Sequence, residues 1–204
     1  ALWGVPMFDS YHGLQACRAI LDIRDALKSL QEKNKSSYGV DISIRVGLSS
    51  GKMVAGNVGG GLRFNYTVLG NEVNLASRLE SLNKVYGTDV LMSEGTANLV
   101  RDQLVLREID LVSVKGQERQ TKIFSILGDG TGIVPLDYRL NELYQHGRKF
   151  YLAREWAAAR DAFLAALELN LNDGPSKEFL RRVEEYAKYP PASDWDGVYR
   201  ATQK

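Results

Sequence analysis

Apolar residues recur along this chain with two different periods, and the switches between them mark its elements. From Asp9 to about Lys33, Leu14, Cys17, Ile20, Leu21, Ile23, Leu27 and Leu30 return at helical spacing. Asp9 or Ser10 suits the N-cap of that helix. A polar stretch, Gln31 to Ser37, leads to a first β-type run, Ile42 to Leu48, and a second from Met53 to Val58. Gly59-Gly60-Gly61 then turns the chain into a third run, Arg63 to Leu69. After Gly70-Asn71 the period becomes helical, with Val73, Leu75, Ala76, Leu79 and Leu82 on one side. Thr88 to Met92 reads as a strand, and Ser93 caps a short helix. Leu104 to Val114 and Gln120 to Leu127 are two more strand runs, joined by Lys115-Gly116-Gln117-Glu118.

Gly128-Asp129-Gly130-Thr131-Gly132 forms a flexible linker, after which residues 137–189 are helical in character. Aligned to a tetratricopeptide repeat, Gly147, Phe150, Ala159, Phe163 and Ala166 fall at its small and aromatic positions. A single repeat cannot bury its own face, so this tail is expected to pack on the preceding domain, a second copy or another chain. Pro190-Pro191 ends the last helix, and Trp195 is expected to anchor the chain end. The division is therefore 1–128 for a main domain, 129–136 for a linker and 137–204 for a helical tail.

Composition narrows the classes of function. At 204 residues, 44% hydrophobic and 25% charged, the chain fits one ordinary globular domain with an appendage. A net charge of +1 leaves no basic footprint, which argues against a nucleic-acid partner. Nothing approaches the ~18 consecutive apolar residues of a membrane span, and no signal peptide is visible. The single cysteine, Cys17, forms no internal disulfide and fits core filler in a reducing, cytoplasmic setting. His12 lies in a first helical turn, where a surface or capping role is the expectation.

Candidate chemistry gathers around the third run and the helix after it. Asn74 and Arg78 are four residues apart, so they project from one face of that helix. An amide beside a guanidinium, close to a helix start behind a glycine-rich hairpin, suits an anionic ligand. The glycine cluster is not a phosphate-cradling loop of the Walker type, because no Lys-Ser/Thr follows it.

Arg45-Val46-Gly47 with Gly51, Gly56-Asn57-Val58-Gly59, the run Tyr66 to Glu80, and Val114-Lys115-Gly116 together resemble the class III nucleotidyl cyclase catalytic domain. The resemblance covers Ala1 to about Leu127. It implies an α+β fold with a ferredoxin-like βαββαβ core, incomplete at its N-terminal end. The activity it implies is adenylate cyclase, converting ATP to 3′,5′-cyclic AMP and pyrophosphate in cAMP signalling. Carried over residue by residue, Asn74 orients the ribose and Arg78 binds the α-phosphate. Thr67 and Val68 lie at the base, and Arg45 and Lys115 reach phosphate.

The family also implies two Mg²⁺ or Mn²⁺ ions per site and a head-to-tail homodimer. Their metal-binding aspartates lie in positions upstream of residue 1, as does the lysine that reads the purine, so no metal ligand is assigned here. On that basis the fragment alone is expected to be inactive, with a sensor domain upstream in the parent and membrane anchoring of the parent left open. Thr67 can both accept and donate, which leaves guanylate cyclase as an alternative substrate reading. A non-catalytic dimerisation or nucleotide-sensing module is the other.

Overall fold

The computed structural model describes residues 1–37, 42–60, 63–114 and 120–201. Helix α1 spans His12–Ser37; β1 is Val46–Leu48, β2 Val54–Gly60, β3 Arg63–Leu69, α2 Asn71–Tyr86, β4 Val90–Ser93 and α3 Glu94–Val100. Two long strands follow, β5 (Val105–Val114) and β6 (Thr121–Gly128). Three helices, α4 (Pro135–Leu152), α5 (Trp156–Leu169) and α6 (Gly174–Lys188), precede a short β7 (Tyr199–Ala201).

Five strands form one mixed sheet in the order β1-β4-β6-β5-β7. β1 runs parallel to β4, and β5 parallel to β7, while the β4–β6 and β5–β6 pairs are antiparallel. Both faces of the sheet are covered, and side-chain alternation shows how. Along β4 every residue is buried. Val90 and Met92 join α1 and α3 in a core with Cys17, Ile20, Val100 and Phe124. Leu91 points the other way, into a core with Leu75, Leu79 and Tyr86 of α2 and Tyr144, Phe163 and Phe179 of the C-terminal helices. A continuous apolar strand is what burial on both faces requires. Cys17 is fully buried in the first core, and burial pushes its thiol up to about 11, so it stays protonated.

The second core joins the sheet and α2 to the helical tail. Gly147 makes the α4–α5 pair possible, since a Cβ there would come 2.6 Å from the Phe163 ring. Trp195 packs edge-on to Tyr151, Trp156 and Tyr186, and Arg154 caps it with its guanidinium 5.4 Å from the ring. Buried ion pairs join tail to sheet: Arg107 to Asp173 at 2.6 Å, and Arg182 to Asp110 at 2.7 Å.

Differences from the sequence expectations are matters of boundary and pairing. The first helix begins at His12, because Asp9 turns the chain ahead of it, accepting from Tyr11 N through its side chain and from His12 N through its carbonyl. β1 is shorter than the apolar run suggested. β2 extends through Gly60 and pairs it with Arg63. α4 starts inside the expected linker, on Pro135, whose fixed φ suits a first helical turn. Ser93 does cap α3, accepting from Thr96 N.

Candidate active site

β2 and β3 form a two-stranded hairpin of their own, outside the five-stranded sheet. In its register Thr67 lies opposite Gly56 and Val68 opposite Ala55, with Thr67 and Val68 on alternate faces. Both are half-buried, while Val54 on β2 and Tyr66 and Leu69 on β3 are exposed at 72%, 55% and 57%. The hairpin delivers the chain through Gly70 directly into α2. Gly70 supplies no side-chain cap, so the first-turn N–H groups of α2 keep no built-in side-chain acceptor at that position.

α2 is seated by its apolar stripe, Leu75, Leu79 and Leu82. A glycine on β1 permits the close approach: a Cβ at Gly47 would fall 1.9 Å from the Ala76 carbonyl oxygen. Asn83, buried within the stripe, donates to the Val46 carbonyl at 2.9 Å and accepts from Thr88 at 2.7 Å. Gly87, left-handed at φ 60, ends the helix. With the helix fixed in this way, Asn74 is exposed and Arg78 half-buried on its flank. Neither has a hydrogen-bond or ion-pair partner among the described residues. A half-buried guanidinium without a carboxylate is an open anion-binding donor set, and the amide one turn away adds a neutral donor and acceptor.

Arg45 is placed elsewhere. It pairs with Glu80 at 3.1 Å, and residues two apart on a helix point roughly 200° from each other, so this pair sits across α2 from Arg78. A carboxylate close at hand on α2 is the physical reason the exposed Arg45 side chain lies along that helix. Lys115 lies outside the described residues. His12 donates from Nδ1–H to the Asp9 carbonyl at 2.7 Å, a local turn contact.

A cavity of about 150 Å³ opens on the flank of α2 away from Arg78, lined by Trp3, Gly47, Ser49, Glu72, Val73 and Thr96 among others. Ser49 bridges Glu72 and Ser93 inside it. The described residues contain no group of three His, Cys, Asp or Glu side chains able to hold a metal ion. They offer hydrogen-bond donors suited to an anion, and do not by themselves fit a two-metal centre.

Sequence reasoning missed Asn83, Tyr86 and Arg182. Each is a polar side chain inside an otherwise apolar helical stripe, a signal that was available in α2 and α6.

Comparison with known proteins converges on one family. The model described as "Adenylate and Guanylate cyclase catalytic domain" matches residues 2–128. Among curated relatives, Adenylate cyclase 1 of Rhizobium meliloti (strain 1021) is 34% identical over 128 residues, 63% of this chain and 19% of that protein. The terminal-differentiation-specific adenylate cyclase of Dictyostelium discoideum is 30% identical over 180 residues, 86% of this chain and 8% of that protein. The chain thus spans about a fifth or less of the length of these two relatives. Among solved structures, the adenylyl cyclase CyaB from P. aeruginosa superposes with TM-score 0.57 at 28% identity, covering 65% of this chain and 68% of that one. The guanylyl cyclase Cya2 gives 0.56 at 25%, covering 64% and 65%.

Proposed function

Since this chain belongs to the family of adenylate and guanylate cyclase catalytic domains, we propose that it contributes the ribose- and phosphate-binding half of an adenylate cyclase site. The reaction joins the ribose 3′-oxygen to the α-phosphorus of ATP and expels pyrophosphate. Negative charge grows on the phosphoryl oxygens as the new bond forms, and a fixed donor aimed at that charge lowers the barrier. Arg78 supplies that donor and Asn74 holds the ribose. Thr67, on the hairpin that leads into α2, faces the base. Arg45 would have to leave Glu80 to reach phosphate, so its contribution is secondary.

The observation that carries the proposal is an Arg78 without a partner among the described residues, one turn from an exposed Asn74. A module kept only for dimerisation has no use for an arginine held half-buried without a carboxylate. The adenylyl reading draws support from the curated relatives above, which are adenylate cyclases. The exposed apolar residues of the hairpin support a head-to-tail pair of copies, one presenting α2 to the other. On this reading the divalent ions, Mg²⁺ or Mn²⁺, are held by carboxylates outside the described residues.

The test is a cyclase assay with ATP and GTP side by side under Mn²⁺. It uses the longest polypeptide that carries these residues, with residues 1–204 alone in parallel. Cyclic AMP formation that falls on the order of 100- to 1,000-fold in Arg78→Ala supports the assignment. Preference for GTP, or turnover indifferent to that substitution, defeats it.

A further inference from the structure

The far end of α2 is gripped in a way its apolar stripe does not require. Tyr86, the last residue of the helix, is fully buried. Its hydroxyl donates to Asp110 Oδ2 at 2.7 Å. Arg182 of α6 donates to the same oxygen at 2.7 Å and to the Tyr86 hydroxyl at 3.2 Å. Glu178 completes the arrangement, accepting from Arg182 Nε at 2.7 Å. The start of α6 presses on the same point, since a Cβ at Gly174 would sit 2.2 Å from the Tyr86 carbonyl oxygen. The Tyr199 ring of β7 meets the Tyr86 ring edge-on at 6.0 Å.

Apolar packing is non-directional, so Leu75, Leu79 and Leu82 leave the rotation of α2 about its own axis to its directional contacts, of which Asn83 to the Val46 carbonyl is one. Charge-assisted hydrogen bonds are directional and do fix it. Tyr86 is eight residues from Arg78 and twelve from Asn74, about 12 Å and 18 Å along a rigid helix. Side-chain tips stand roughly 5–6 Å from the axis, so a rotation of about 10° moves them on the order of 1 Å. A displacement of about that size is enough to cost two orders of magnitude in rate.

We propose that Tyr86 is a positioning residue, and that through the Asp110–Arg182 pair the tail helix α6 sets the pose of Asn74 and Arg78. This rests on the reading of those two residues as substrate contacts.

The decisive variant is Tyr86→Phe, which keeps the ring and removes the hydroxyl, with Arg182→Lys as the conservative partner. In the 204-residue chain, hydrogen exchange of the amides of residues 71–78 is expected to speed up about tenfold in Tyr86→Phe, while α1 and β4 stay unchanged. In the polypeptide that turns over ATP, kcat is expected to fall about tenfold with KM within about twofold, and Arg182→Lys to lie between it and wild type. A purely structural role would instead raise exchange throughout the chain and leave kcat per folded molecule intact. Wild-type exchange at 71–78 together with wild-type kcat in Tyr86→Phe overturns the proposal. A wild-type protein without cyclase turnover sinks the functional reading instead, and the exchange at 71–78 still decides whether α6 controls the helix.

Discussion

Arg78 and Arg182 are the same residue type serving opposite ends of one helix, and their surroundings differ completely. Arg182 is 4% exposed and meets Asp110, Glu178 and the Tyr86 hydroxyl, with its guanidinium also over the Tyr199 ring at 4.2 Å. Burial works against its charge, but Asp110 and its other partners more than offset this and hold it firmly protonated. Arg78 is half-buried and unpartnered among the described residues. Folding has spent the first arginine on architecture and left the second with its donors unused. Partner count, more than residue type, separates a guanidinium built into the architecture from one with donors to spare among the described residues.

Three changes would break or sharpen that contrast. The largest effect is expected from replacing each arginine by Met. Arg182→Met leaves Asp110 buried beside Tyr86 without its cation and should lower unfolding stability by about 3–5 kcal/mol. Arg78→Met should stay within about 0.5 kcal/mol. Urea denaturation of the two variants checks this, and equal losses would erase the distinction. Next is Gly147→Ala, which forces a methyl against Phe163 in the core that both regions share and should cost about 1–3 kcal/mol. If α2 is held through the tail, exchange at residues 71–78 should rise with it.

The smallest effect is expected from pH. Burial alone would raise the Asp173 carboxyl, but the Arg107 guanidinium and Ser176 outweigh it and hold it below the ordinary 3.8. A carboxyl depressed by folding contributes stability above its unfolded value, and that contribution is lost as pH falls through the lower folded value. Acid melts followed through Trp156 and Trp195 should therefore show the tail loosening below the ordinary carboxylate range, and Asp173→Asn should flatten that dependence. A melting temperature independent of pH across that range would remove Asp173 from the picture.

The front of the molecule was legible in the sequence and the rear was not. The α2 stripe, the hairpin before it and the Asn74–Arg78 spacing are local, set by residues within a few turns of one another. The grip on Tyr86 comes from Asp110 and Arg182, which are 72 residues apart. Arg107 and Asp173 are 66 apart. No periodicity within a window reports such pairs. Arg45 shows the same limit: its motif position was readable, but its choice of Glu80, 35 residues on, depended on how α2 settles against β1.

The backbone of β5 is looked after from the tail. Gln145 and Tyr144 take the carbonyls of Glu108 and Ile109, where the β5–β6 register slips, and β7 covers Val112 to Val114. Cutting the chain back to its family-like residues would therefore not yield a tidier catalytic unit. It would bare part of a ten-residue strand to solvent, an open template on which another molecule's strand could add, and the trimmed protein would tend to clump.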